Sequence, residues 1–148
     1  MFKLNISTKD GKTYKLELES EELNGKELGS KIEGKDLNAD LSGYEFEITG
    51  ASDSSGFPSL KNVDGIALKK VLLTYGKGMN KKPKHEGKHK PTRNRPKGLR
   101  LRKTVRGNII STATVQVNMK VLKEGSKKLS EIFPEQNQPK AKSAKPAA

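Results

Sequence analysis

The clearest folding signal in this chain is residues 114–121, TVQVNMKV, in which apolar and polar side chains alternate without a break. A period of two places Val115, Val117, Met119 and Val121 on one face of a β-strand and makes the other face polar. The same alternation recurs in residues 2–6, 14–18, 44–48 and 71–75. The sequence therefore predicts five strands, each with one apolar face.

The rest of the chain is mostly turns. Glycines punctuate residues 20–42, where one short strand near Ile32 is expected. The best helical candidate covers residues 127–133, with Ser126 as a possible N-cap and Pro134 as the stop. Short strands with one apolar face must stack or close on themselves, so we predict a mostly β protein with a small antiparallel β-barrel-like body.

Domain organisation follows from composition. Only 31% of the 148 residues are hydrophobic, which is too few for the whole chain to form one core. We predict a single β domain over residues 1–133, with a long basic Pro- and Gly-rich extension, residues 77–106, inserted in it. Residues 134–148 are rich in Pro, Lys and Ala, and we expect them to be a disordered tail.

The net charge of +13 is concentrated in residues 77–106, which we call the basic arm. Residues 1–76 hold 10 Lys and Arg against 13 Asp and Glu, and residues 107–148 hold 7 against 3. The basic arm holds 13 against the single Glu86. Repulsion among so many cations is costly until a polyanion neutralises them, which disfavours the alternative of a simple solvated loop.

We predict that the basic arm binds nucleic acid. Its prolines, Pro83, Pro91 and Pro96, disfavour a helix or a central strand. The arm offers no recognition helix for the major groove of DNA, so folded RNA is favoured and DNA is the alternative. The predicted RNA-binding residues are Lys77, Lys81, Lys82, Lys84, Lys88, Lys90, Arg93, Arg95, Lys97, Arg100, Arg102, Lys103 and Arg106.

Several other chemistries are disfavoured by the sequence. The chain has no cysteine, which excludes disulfides, thiolate zinc sites and thiol nucleophiles. No apolar run approaches the roughly 20 residues of a membrane helix, and the first residues do not resemble a signal peptide. We expect no membrane association, no cofactor and no small-molecule substrate.

Residues 85–89, HEGKH, match the zinc-peptidase pattern H-E-x-x-H. That pattern requires a helix that places both imidazoles on one face. Gly87 lies within these residues, and Pro83 and Pro91 flank them, so the sequence disfavours a zinc hydrolase. Asp53 and Asp64 are isolated acids near turns, and turn formation is the favoured role of both.

Three blocks of sequence, in order, carry a resemblance to a known family: residues 2–7 (FKLNIS), 48–58 (ITGASDSSGFP) and 100–107 (RLRKTVRG). Together they resemble the sixth small-subunit ribosomal protein of archaea and eukaryotes, over about residues 1–125. The resemblance implies a barrel-like body whose basic extension packs into ribosomal RNA near the foot of the small subunit. It also carries the family's basic motif onto Arg100, Arg102, Lys103 and Arg106.

The resemblance implies further details. Gly56-Phe57-Pro58 should form a bend of the body with Phe57 packed inward. Leu99 and Leu101 stand where the family tends to have Glu and Arg, and Ser59 replaces a frequent methionine. The chain stops short of the long basic C-terminal helix of eukaryotic members, so we expect the archaeal short form.

The sequence as a whole predicts a non-enzymatic, cytoplasmic constituent of the small ribosomal subunit. Its expected partners are small-subunit ribosomal RNA, bound through the basic arm, and neighbouring ribosomal proteins. The alternative is a free RNA-binding chaperone or translation factor that uses the same arm transiently.

Overall fold

The computed structural model describes residues 1–19, 22–80 and 98–137. Seven strands and one short helix lie in these ranges, with short 3-10 turns at Gly34–Asp36 and Ala39–Leu41. The strands are β1 (Phe2–Ser7), β2 (Thr13–Leu18), β3 (Lys31–Glu33), β4 (Glu45–Asp53), β5 (Leu68–Thr74), β6 (Arg100–Arg106) and β7 (Thr114–Lys123), and the helix is α1 (Leu129–Ile132). The mostly β class predicted from the sequence is therefore confirmed.

Five of the strands form one sheet in the order β2-β1-β7-β4-β3. β7 pairs antiparallel with β4 but parallel with β1, with Lys3 opposite Gln116 and Ser7 opposite Lys120. The prediction of a purely antiparallel body was wrong at this pair, because alternation determines the faces of a strand but not the direction of its neighbour. Within the described residues this sheet is open, with β2 and β3 at its edges, and does not close into a barrel.

One face of the five-stranded sheet carries the main core. The fully buried side chains of the central strands include Leu4, Ile6, Phe46, Ile48 and Met119. The connections between the strands cover this face with Leu23, Leu28, Leu37, Leu41 and Ile110, which belong to the same apolar cluster. These connections therefore supply the second layer of the domain.

The end of β7 differs from the predicted alternation. Thr114 is buried and Val115 is half-buried, although the period of two places Val115 inside. The pairing of β7 with β4 shifts register between Ser52 and Asp53. A register shift of this kind changes which side chain faces the core.

The remaining two strands, β5 and β6, form a separate two-stranded antiparallel sheet, which we call the ribbon. The strands predicted from the sequence do not include residues 100–106, which the structure shows to be β6. Leu101, Lys103 and Val105 alternate with exposed Arg100 and Arg102, and Val105 is fully buried. This alternation is hard to recognise in the sequence because most side chains of β6 are basic.

The C-terminal part of the described chain packs on β2. α1 begins after Lys128, which provides no side-chain cap, so the predicted N-cap role of Ser126 is wrong. The ring of Phe133 lies 5.9 Å from that of Tyr14. Gln136 accepts a hydrogen bond from the Lys15 amide and donates one to its carbonyl, and Asn137 donates to the Thr13 carbonyl, so these two residues of the predicted tail contact β2. Residues 138–148 lie outside the described residues.

Candidate nucleic-acid interface

The described residues on either side of residues 81–97 are held by the ribbon. Thr74 is the last residue of β5 and pairs with Arg100, the first residue of β6. On the outgoing side, Gly76 and Met79 exchange two backbone hydrogen bonds, each 3.0 Å long, and the side chain of Met79 is fully buried. The ribbon therefore provides a structured base for both ends of the arm.

Most of the predicted binding residues lie outside the described ranges. Among the predicted residues, the structure describes Lys77, Arg100, Arg102, Lys103 and Arg106. The other predicted binding residues lie outside the described residues and are Lys81, Lys82, Lys84, Lys88, Lys90, Arg93, Arg95 and Lys97. Glu86 and both histidines of the H-E-x-x-H match also lie outside the described residues. In residues 81–97 the sequence places eight Lys and Arg against one Glu.

Four of the five described binding residues lie in three different environments. Arg100 and Arg102 are exposed on one face of the ribbon, opposite Thr74 and Leu72, and we call this face the outer face. Lys103 is half-buried on the inner face, and the exposed Lys77 donates from Nζ to the Thr49 carbonyl at 3.0 Å. The charges of β6 thus reach both faces of the ribbon.

The cations Arg100, Arg102 and Lys103 form no ion pair within the described part of the chain. Lysines of the five-stranded sheet do find carboxylates. Lys120 lies 2.8 Å from Glu47, for example, and its hydrogen bond lowers the pKa of that carboxyl. The described body therefore does not neutralise the charges of Arg100, Arg102 and Lys103.

Arg106, the fifth described residue, has a different environment. Its Nε and Nη2 donate to Asp53 Oδ2 at 3.2 and 3.1 Å, and its Nη1 donates to the Ile66 carbonyl. The exposed fractions of the two side chains are only 13% for Arg106 and 3% for Asp53. This guanidinium therefore ties the end of β6 to the end of β4, and its donors are directed to the protein.

Asp53 has two roles, of which the sequence indicates one. Its Oδ1 accepts a hydrogen bond from the Phe57 amide at 2.8 Å, as turn formation predicts. Its other oxygen holds Arg106, so the interpretation of an isolated acid was wrong. Gly56 has a φ of +82°, consistent with the predicted bend, whereas Phe57 is half-buried and not part of the core. No local pattern links residues 53 and 106, since their contact is created by the fold.

Leu101, where the resemblance leads us to expect a departure from the family, has an apolar neighbour. It lies opposite Leu73 on the inner face of the ribbon, and both side chains are half-buried. A leucine here adds apolar contact between the strands where an arginine would add charge. The sequence analysis missed Lys70, which the register places on the outer face with Arg100 and Arg102.

The described residues show no arrangement typical of a metal or catalytic centre. No group of three or more His, Asp or Glu side chains in these ranges could hold a metal ion. Burial raises the pKa of Tyr44, whose hydroxyl donates to the Lys127 carbonyl and is thus used structurally. None of the described helices is long and apolar enough to span a membrane.

The fold and the site together define a small β protein that presents a cationic hairpin, a class that typically binds nucleic acid. The family model described as ribosomal protein S6e matches residues 2–134. The chain belongs to the ribosomal protein S6e family. This confirms the resemblance noted in the sequence, and membership of a ribosomal protein family confirms that the chain is not an enzyme.

Curated relatives from archaea support the same assignment. A protein of Methanosphaera stadtmanae named small ribosomal subunit protein eS6 is 41% identical over 138 residues, covering 91% of this chain and 94% of the relative. Proteins of the same name from Methanococcus maripaludis and Methanocaldococcus jannaschii are 40% and 38% identical, each over 84% of this chain and over 90% and 84% of their own lengths. The chain is therefore similar to archaeal members over most of its length.

Proposed function

We propose that the chain is a structural constituent of the small ribosomal subunit in the cytoplasm and that it binds ribosomal RNA through the basic arm. Its relatives' names support the place in the subunit. The single observation that supports the RNA contact is the unneutralised charge on the ribbon, where Arg100, Arg102 and Lys103 have no carboxylate partner in the described chain. Phosphates are the partners that such cations lack.

The described residues suggest how the arm is used. The ribbon holds both ends of the arm at one point, and the Arg106–Asp53 pair ties the ribbon to β4. The arm brings its lysines and arginines between RNA helices, where neutralised phosphates can approach each other closely. If about six of these charges meet phosphates, log affinity falls with log salt with a slope of about −4 to −5.

The proposal is tested by binding of the purified chain to small-subunit ribosomal RNA across a potassium chloride series. The variant Arg100→Gln/Arg102→Gln should weaken binding and make the salt slope shallower by about 1 to 2. The matched control is Lys3→Gln/Lys123→Gln, which removes the same charge from residues that already have carboxylate partners. Equal binding by both double variants would contradict the assignment, as would binding that does not weaken with salt.

The alternative function, a free RNA-binding chaperone or translation factor, uses the same arm and predicts a different behaviour in cells. A constituent of the subunit remains with it in a sucrose gradient at moderate salt. A transient factor is released under the same conditions.

A further inference from the structure

The exposed apolar side chains of the described chain are concentrated at one strand. Ile66, Leu68 and Leu72 are 50%, 45% and 53% exposed, and the fourth exposed large apolar residue is Met1. Leu68 and Leu72 lie on the outer face of β5, and Ile66 lies two residues before the start of the strand. Single exposed apolar residues are ordinary, whereas a row along one strand indicates a surface that is covered in an assembly.

The backbone of β5 is also open on one side. β5 pairs only with β6 among the described residues. The far edge of β6, in contrast, is protected at one end, where Arg106 exchanges backbone hydrogen bonds with residues 58 and 60. An exposed seven-residue edge strand with apolar side chains is a template for pairing with another chain.

The two charged side chains of β5 are both positive. Lys69 and Lys70 are exposed on opposite faces of β5, and neither forms an ion pair within the described chain. Lys69 donates to the backbone carbonyl of Asp64 instead. A segment that pairs along β5 would therefore be favoured if it carried carboxylates.

We propose that β5 is a docking strand for an extended segment of a neighbouring protein. On the face of that segment that adjoins Leu68, Lys70 and Leu72, successive side chains are aliphatic, acidic (Asp or Glu) and aliphatic. The proposal rests on the proposed function, since the neighbour belongs to the same subunit. The aliphatic side chains of the segment cover Leu68 and Leu72, a carboxylate faces Lys70, and its backbone pairs with the open edge.

A protein fits this surface better than RNA does. RNA has no backbone groups with the spacing of a β-ladder, and its phosphates gain nothing from exposed leucines. Bases stack well on aromatic rings, but residues 68–74 and 100–106 contain none. The two strands of the ribbon thus bind different partners: the cations of β6 contact RNA, and the edge of β5 pairs with protein.

The test uses the absence of cysteine from the chain, so that Leu72→Cys introduces a unique thiol. The variant is assembled into small subunits, and its co-sedimentation with them is measured first. The thiol is then alkylated in the free protein and in the purified subunit, and a benzophenone attached to it is photocrosslinked. Leu68→Cys serves as a second probe, and Asp10→Cys in the exposed turn after β1 is the control for labelling and random crosslinking.

We expect alkylation to be at least tenfold slower in the subunit, with crosslinks from both probes to one ribosomal-protein peptide that contains aliphatic and acidic residues. Alkylation as fast as in the free protein would overturn the proposal, and so would crosslinks to RNA alone or to a peptide without acidic residues. Failure of the wild-type chain to co-sediment would overturn the proposed function and this inference with it. Normal co-sedimentation with an unprotected thiol would overturn this inference alone.

Discussion

The buried pair of Asp53 and Arg106 allows the structural reasoning to be tested quantitatively. The change Asp53→Asn keeps an oxygen for the Phe57 amide and removes the carboxylate that Arg106 contacts through two nitrogens. Breaking a buried ion pair from one side costs about 3 to 5 kcal/mol. The 13% exposure of the Arg106 side chain lets some water reach the charge, so we expect a loss at the lower limit, about 3 kcal/mol.

A double-mutant cycle isolates the interaction from other effects of each substitution. Arg106→Met should also cost about 3 kcal/mol, because it leaves a carboxylate that is 3% exposed with only one amide donor. The double variant Asp53→Asn/Arg106→Met removes both members of the pair. Its loss should be smaller than the sum of the single losses by at least ~1 kcal/mol.

The assay is urea unfolding followed by circular dichroism, with the midpoint of thermal unfolding as a second measure. For a chain of this size, a loss of about 3 kcal/mol should lower Tm by roughly 6 to 12 °C. The control is Lys123→Met, whose ion pair with Glu45 is 70% and 44% exposed, and which should cost less than about 1 kcal/mol. A loss in Asp53→Asn no larger than that of the control, or additive losses in the cycle, would refute the reasoning.

Three further outcomes follow from other contacts. Gly107→Ala should destabilise the protein by about 1 to 3 kcal/mol in thermal denaturation, since the added carbon would collide with the Gly65 carbonyl; unchanged stability would contradict this. Gln136→Ala should cost about 1 kcal/mol in urea unfolding, because it removes two hydrogen bonds to the edge of β2, and no change would argue against that docking. Lys120→Met should raise the pKa of Glu47 towards its ordinary value in an NMR titration, because the Lys120 hydrogen bond lowers it. In the wild type, the stability that this pair contributes is present above the pKa of Glu47 in the unfolded chain. It is lost as the pH falls through the lower pKa of Glu47 in the folded protein.

Much of the β body could be predicted because alternation reports burial directly. The period of two assigns Phe2, Tyr14, Phe46 and Met119 to the core, and the structure buries all four. The assignment is less complete at the ends of the strands, where Leu18 and Val115 are half-buried. β6 was missed because a half-buried Lys103 stands between Leu101 and Val105, and so the strand has no continuous apolar face. Strand direction was out of reach for a different reason, since β1 and β7 are joined by contacts between distant parts of the chain.

The positive charge of the candidate site could be predicted from the sequence. Which of its cations are exposed and which are paired within the protein could not. Counting cations selects Arg100 and Arg106 equally, whereas the fold exposes the first and pairs the second with Asp53. The carboxylate that makes this difference lies 53 residues away in sequence. Only the packing of β4 against the ribbon reveals it.

The position of β7 has a consequence for synthesis of the protein. The strand made last is the one that joins β1 and β2 to β3 and β4, and its pairing with β1 links residues 113 positions apart. The sheet therefore cannot be completed while the ribosome is still translating residues 77–106, and the cationic stretch emerges before its own scaffold exists. During translation, the most basic stretch of the chain is therefore accessible to polyanions before the strand that completes the sheet has been made.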